Sequence, residues 1–248
     1  MIANGVDPNT RVGELVAQRP GRSRVFERLG IDYCCGGKTP LDRACREKGL
    51  DVDNVLREIA VSDDETHEED RIDWNQVPMG DLADHIVGVH HGYLRRELPR
   101  LAALMEKLVA AHGTRHPELT EVRDTVLSLK DELDSHMLKE EMVLFPIVKQ
   151  LQTATSMPSF HCGSVNNPIF VMMHEHEDTG NALARLRSLT HGYQAPADAC
   201  ETYRATLAGL AALEADLHCH IHKENEILFP RARAAEAALC AGASRSEL

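Results

Sequence analysis

The feature that most constrains this chain is a motif written twice. Ser135 to Lys149 reads SHMLKEEMVLFPIVK, and Cys219 to Arg233 reads CHIHKENEILFPRAR. Each copy places a histidine four residues before a glutamate, His136 with Glu140 and His220 with Glu224, and then reads Leu-Phe-Pro at the same distance. Residues at i and i+4 of an α-helix stack on one face, so each pair can reach one object. The neighbouring apolar residues say which face this is. Val126, Leu129, Leu133, His136, Met137, Glu140 and Leu144 recur at steps of three and four, as do Leu210, Leu213, Leu217, His220, Ile221, Glu224 and Leu228. Both pairs are therefore expected to face a helical core. A carboxylate buried there is costly unless a cation or strong hydrogen bonds compensate it. One His-x-x-x-Glu reads most simply as a solvated pair or a satisfied core histidine. Two copies in phase on core stripes point to a metal.

The duplication reaches further back. His91 precedes His136 by 45 residues and His176 precedes His220 by 44, so each helical hairpin offers one histidine from its first helix and a His/Glu pair from its second. The expected ligand set is His91, His136, Glu140, His176, His220 and Glu224. His90 rivals His91, but the apolar stripe through His91 is longer. Glu141 points about 100 degrees away from Glu140 and is expected at the surface or behind a ligand. His85 reads as a core histidine or an outer partner. His174, His218 and His222 lie off the stripe and are expected to be exposed.

Four long helices carry these residues, each with start or stop signals. The first runs from about Met79 to Ala111, with Pro99 expected to kink it. The second opens at Pro117 and is expected to bend or end at Pro146. A loop holding Pro158, Gly163 and His161-Cys162 follows, and Asn167-Pro168 starts the third. The fourth begins near Pro196, and its Pro230 matches Pro146. With aromatics at only 4% of a chain that is 43% hydrophobic, the core is mostly Leu, Ala, Val and Met, which suits helices better than a sandwich or barrel. The expected fold is all-α, a small N-terminal helical domain (1–61), an acidic linker (62–76) and an up-down-up-down four-helix bundle (77–240).

The N-terminal domain has short amphipathic segments at Val12 to Gln18, Ser23 to Leu29, Leu41 to Lys48 and Asp53 to Ile59. Its unusual feature is Asp32-Tyr33-Cys34-Cys35-Gly36-Gly37. Adjacent cysteines present two thiols at one spot, and a segment starting near Thr39-Pro40 could lower a thiol pKa through its N-terminal dipole. The bland reading is a pair of small buried residues at a turn. The stretch SDDETHEEDR from Ser62 to Arg71 has nothing apolar to bury and reads as solvated.

A formal net charge of -12, with no basic cluster, argues against nucleic acid and anionic membranes as partners. No apolar run approaches a membrane span, and residues 1–15 have neither a basic nor an apolar leader region, so a soluble, cytoplasmic protein is expected. Seven cysteines without framework spacing suggest reduced thiols.

Four nitrogens and two carboxylates are too many for one zinc, and the set is not the all-oxygen cage of calcium or magnesium. Shared between two ions, it gives each two histidines and an oxygen from each bridging glutamate. Imidazole with carboxylate and open positions suits iron that binds a small gas.

These residues carry a resemblance. The Asp32 to Lys38 turn, the His90-His91-Gly92-Tyr93-Leu94-Arg95 segment and both His-x-x-x-Glu...Leu-Phe-Pro blocks resemble the iron-sulfur cluster repair di-iron proteins. This family is also called repair of iron centres, or the YtfE/ScdA family, and includes the DnrN and NorA types. The resemblance covers nearly the whole chain and implies a hemerythrin-like bundle with two iron ions in an oxo- or hydroxo-bridged non-haem centre. In it the residues matching His91, His136, His176 and His220 are terminal ligands, and those matching Glu140 and Glu224 bridge. It further implies repair of clusters damaged by nitrosative or oxidative stress, with nitric oxide or oxygen as small ligand, damaged iron-sulfur proteins as clients and an unknown electron donor. Nitric oxide reductase activity and a homodimer are left open. Cys34 and Cys35 are implicated in redox or delivery. The alternative is a reversible binder or sensor of nitric oxide or oxygen like the hemerythrins, whose histidine-richer, asymmetric ligand set differs from the two equal halves here.

Overall fold

The structure, a computed structural model, describes residues 6–64 and 72–245. Four short helices form the N-terminal unit: α1 (Val12–Gln18), α2 (Ser23–Leu29), α3 (Leu41–Glu47) and α4 (Val52–Asp64). They close over Val12, Leu15, Phe26, Tyr33, Leu41, Val55 and Ile59. Gly30 ends α2 in the left-handed conformation, φ 66°, which glycine adopts without the Cβ penalty.

Part of the expected linker is structured instead. Ser62, Asp63 and Asp64 continue α4, and the Asp63 carboxylate forms a buried ion pair with Arg22 at 2.7 Å. The apolar face of α4 carries these acids past the point where solvation alone would leave them loose. Residues 65–71 lie outside the described residues. Beyond them Trp74 is buried in the bundle, and its carbonyl accepts a hydrogen bond from Arg231.

The bundle follows in the expected order. Its first helix is α5 (Met79–His85), a π-helical stretch Ile86–His91, and α6 (Gly92–His112). The second is α7 (Glu118–Lys139), a π stretch Glu140–Leu144, and α8 (Phe145–Thr153). The third is the uninterrupted α9 (Asn166–Leu189). The fourth is α10 (Glu201–His222), a π stretch Lys223–Leu228, and α11 (Phe229–Arg245). Pro146 and Pro230 therefore do not end their helices. Each stands second in a new α segment, where its missing N–H costs least, after a widened turn. Pro99 lies inside α6, which continues past it to His112. A widened turn, Ile86–His91, precedes this helix and holds His91.

Two apolar clusters fill the bundle, one at each end. The first gathers Leu94 to Leu108, Leu119 to Met137, Leu183, Leu186 and Leu207 to Leu217. The second gathers Leu82, Ile86, Leu144 to Leu151, Ile169, Met172 and Ile227 to Ala232. Along every bundle helix the histidine, or the histidine and glutamate pair, falls where the two clusters meet, so the six sit in one polar layer with hydrocarbon above and below.

The N-terminal unit docks on α10 and the π stretch after it. Ile221 belongs to its core. A Cβ on Gly13 or Gly37 would stand 2.8 Å or 2.6 Å from Glu226, so the absence of side chains there allows the approach. Among the described residues, no helix is long and apolar enough to cross a membrane.

Candidate metal centre

The layer brings together all six residues singled out by the motif. His91, His136, Glu140, His176, His220 and Glu224 are all buried, both glutamates completely. Nε2 of His91 lies 3.2 Å from Glu140 and Nε2 of His136 lies 3.4 Å from its other oxygen. Glu224 repeats this arrangement with His176 at 3.1 Å and His220 at 3.2 Å. The donor atoms fall into two overlapping groups, His91, Glu140, His220, Glu224 and His136, Glu140, His176, Glu224, each spanning no more than 4.8 Å. Both carboxylates belong to both groups.

The donors fit a cation better than they fit one another. His91 Nε2, both oxygens of Glu140 and Glu224 Oε2 are buried with no hydrogen-bond partner of adequate geometry. Nε2 of His136 and of His176 face each other at 3.3 Å. Burial opposes charge on each group, yet the ionic partners win. Glu140 and Glu175 bring His136 up to about 10, and His220 and His176 hold the Glu224 carboxyl well below the usual range. Without a metal, protons on imidazole supply the positive charge that the carboxylates require, and a metal would displace them.

Three imidazoles have their outer nitrogen fixed. His91 donates from Nδ1 to Glu141 at 2.6 Å, and Arg95 holds Glu141. His136 donates from Nδ1 to Glu175 at 2.9 Å, and Lys139 pairs with the other oxygen of Glu175. His176 donates from Nδ1 to Asn225 at 3.0 Å, and Asn225 donates in turn to the Cys34 carbonyl at 3.5 Å. Each bond leaves Nε2 to face the layer, the tautomer a ligand needs. His220 differs: its ring stacks on His90 at 5.3 Å and 4°.

His90 itself is buried outside the layer, between Asp216 and Lys223. His85 is half-buried against Trp74, with ring centroids 4.2 Å apart. His174 is exposed, as expected. His222 is buried and faces the Tyr33 carbonyl, and His218 is only partly exposed and bonded to Glu27. The expectation of exposure fails for these two because the N-terminal unit covers that side of α10.

The double cysteine sits where that unit meets α9. Asp32 accepts hydrogen bonds from the amides of Cys34, Cys35 and Gly36 at 2.9–3.0 Å, which folds the turn. The Cys35 thiol reaches the His176 carbonyl at 3.3 Å, and a Cβ on Gly180 would stand 3.2 Å from that sulfur. Both cysteines line a cleft of about 640 Å³ between the unit and α9. The expected lowering of a thiol pKa does not occur at Cys34. Its bond with Cys35, burial and the charge of Asp32 push it well up, so it is a neutral thiol. Among the described residues no disulfide links any of the cysteines. Cys162 contacts the Ser164 carbonyl within its loop.

Sequence reasoning missed Glu175 and Asn225. Each stands one residue from a layer residue, His176 or Glu224, on a face that reads as solvated polar surface.

A four-helix bundle with two histidine pairs closing on two shared carboxylates defines a hemerythrin-like cation-binding protein. The family model described as hemerythrin HHE cation binding domain matches residues 82–232. The ScdA N-terminal model, described as a domain of unknown function, matches residues 8–63. The iron-sulfur cluster repair protein YtfE of Enterobacter sp. (strain 638) is 38% identical over 91% of this chain and 97% of its own. The YtfE proteins of Escherichia coli O81 (strain ED1a), 36% over 91% and 97%, and of Edwardsiella ictaluri (strain 93-146), 37% over 89% and 95%, are similar at comparable levels. The chain belongs to the YtfE family of iron-sulfur cluster repair proteins.

Proposed function

We propose that this protein carries a non-haem di-iron centre and uses it to repair iron-sulfur clusters damaged by nitrosative or oxidative stress. What supports the reading best is the pair of completely buried carboxylates shared by two donor groups. In this reading His91 and His220 hold one ion, His136 and His176 the other, and Glu140 and Glu224 join both. Mixed imidazole and carboxylate donors that leave open positions suit iron, and bundle cores are established places for such pairs. When bound, the irons supply sites and two electrons for nitric oxide, or iron itself for an emptied cluster.

The chain's residues do the rest. Glu141, Glu175 and Asn225 aim three imidazoles, and the apolar clusters above and below limit access of bulk water. Cys34 and Cys35, over the backbone of His176, are assigned a redox or delivery role between the centre and a client. The clients are damaged iron-sulfur proteins, and the setting is the cytoplasm.

The test is iron content with Mössbauer spectroscopy, before and after nitric oxide, on the protein and on a Glu140→Leu/Glu224→Leu variant. Wild type is expected to hold two irons per chain that respond to nitric oxide, and the variant to lose them while keeping its helicity. A variant that retains both irons removes the site. In a repair assay on a nitric-oxide-treated iron-sulfur dehydratase, full activity from Cys34→Ser/Cys35→Ser would remove the thiol role.

A further inference from the structure

Three of the four layer imidazoles have an outer partner, and each partner has a second contact: Glu141 with Arg95, Glu175 with Lys139, and Asn225 with the Cys34 carbonyl. His220 is the exception. Its Nε2 lies 3.2 Å from Glu224 and faces the layer, so Nδ1 carries the outward proton. That Nδ1 is buried with no partner among the described residues. A buried donor with nothing to donate to is rare and costly.

An acceptor of the complementary kind stands one turn earlier. Asp216 is four residues before His220 on α10, and helical side chains lean toward the N-terminus, so the His220 ring leans back over Asp216. Asp216 Oδ2 is buried and accepts nothing. Its Oδ1 lies 2.9 Å from His90 Nδ1. The proton of that bond belongs to His90, because Lys223 Nζ, which has only protons to give, lies 2.8 Å from His90 Nε2. The rings of His90 and His220 are parallel, 4° between planes and 5.3 Å between centroids, so one carboxylate can meet the edges of both. Glu175 already works this way, with one oxygen on a layer imidazole and the other on a basic neighbour.

We propose that Asp216 is the positioning residue of His220: with metal in the layer, Oδ2 accepts the His220 Nδ1 proton while Oδ1 keeps that of His90. The inference rests on the di-iron reading above. A small turn of the carboxylate or of the ring closes the contact, and an ion held at Nε2 fixes the ring that makes it. Lys223, His90 and Asp216 then form one chain ending on a ligand. This gives the buried His90, which is not a donor to the layer, its place.

The full chain is loaded with ferrous iron without oxygen, and proton nuclear magnetic resonance follows the exchangeable Nδ1 protons of the four ligand imidazoles, which the paramagnetic ions shift out of the main spectrum. Asp216→Ala is expected to move or broaden one of these four signals and leave three. It is also expected to release one equivalent of iron to a ferrous chelator at least about tenfold more readily than wild type. Glu175→Ala is expected to move a different signal, and the double variant both. Asp216→Asn keeps the volume but offers one acceptor oxygen to two donors, so it is expected to fall between wild type and Ala, and it carries the test if the Ala variant does not fold. Circular dichroism checks each variant. Four unmoved signals, or iron held within about twofold of wild type, in the folded Asp216 variants would overturn the proposal and leave the di-iron reading standing. A wild-type chain that binds no iron would remove both.

Discussion

Removing the Glu175 carboxylate should loosen one half of the metal layer and leave the other. Glu175 accepts the Nδ1 proton of His136 at 2.9 Å and pairs with Lys139. The bond from His136 draws its carboxyl down to about 2, so it is ionised at any pH at which the protein works. Loss of an outer partner of a ligand histidine typically weakens metal binding about 10–100-fold, or about 1.4–2.7 kcal/mol. Glu175→Ala takes away both charge and acceptor, and leaves Nδ1 facing the surface groove beside Ser135 and Lys139, so it belongs at the upper end. Glu175→Gln keeps a carbonyl acceptor and should fall near the lower end. Glu175 bonds His136 and none of the donors peculiar to the His91–His220 group, so on the proposed two-iron reading one equivalent should leave well before the second. Competition with a ferrous chelator near neutral pH measures this. The metal-free variant should unfold almost as wild type does, because Glu175 is more than a quarter exposed. An Ala variant that holds both ions within about twofold of wild type would refute the reasoning.

Acid should destabilise the metal-free protein in a defined window. Burial holds His90 down to about 2 and His222 down to about 4, and lifts Asp216 to about 6. Between about pH 6 and pH 4 the unfolded chain gains two protons on these histidines and lacks the one that folded Asp216 holds. Net uptake of about one proton on unfolding lowers stability by about 1.4 kcal/mol per pH unit on acidification. His85 and Glu226, both less buried, shift it in opposite senses. Urea midpoints follow this slope, His222→Phe should flatten it, and a gain of stability on acidification would contradict it. Arg22→Leu leaves the Asp63 carboxylate buried alone and should cost about 3–5 kcal/mol, with Arg22→Leu/Asp63→Leu recovering most of it. Protease digestion of the N-terminal unit reads the difference, and a single variant as resistant as the double one would sink the argument.

The layer was legible because its six residues lie on long apolar stripes and are written twice. Repetition separated His136 and Glu140 from an ordinary solvated pair, and the 45- and 44-residue spacings reached back to His91 and His176. The widened turns were not legible. Leu-Phe-Pro looks like a helix terminus, and a turn with one extra residue shifts the stripe by less than a mixed apolar and polar face can reveal. Glu175 and Asn225 left no periodic signal, since a polar residue behind a ligand resembles one facing water. His222 was misplaced for a related reason. The stripe on α10 registers burial inside the bundle, whereas His222 is buried from outside by Tyr33.

Asn225 spans the seam between the two halves of the molecule with a single amide. Its oxygen steadies the His176 ring, and its nitrogen grips the backbone of Cys34. Anything that shifts the double-cysteine turn, whether a bound client or an oxidised sulfur, would pull on that amide and re-aim one imidazole. Severed from its first sixty residues, the bundle would keep its six inward-facing donors but lose the clasp that tells one of them where to point.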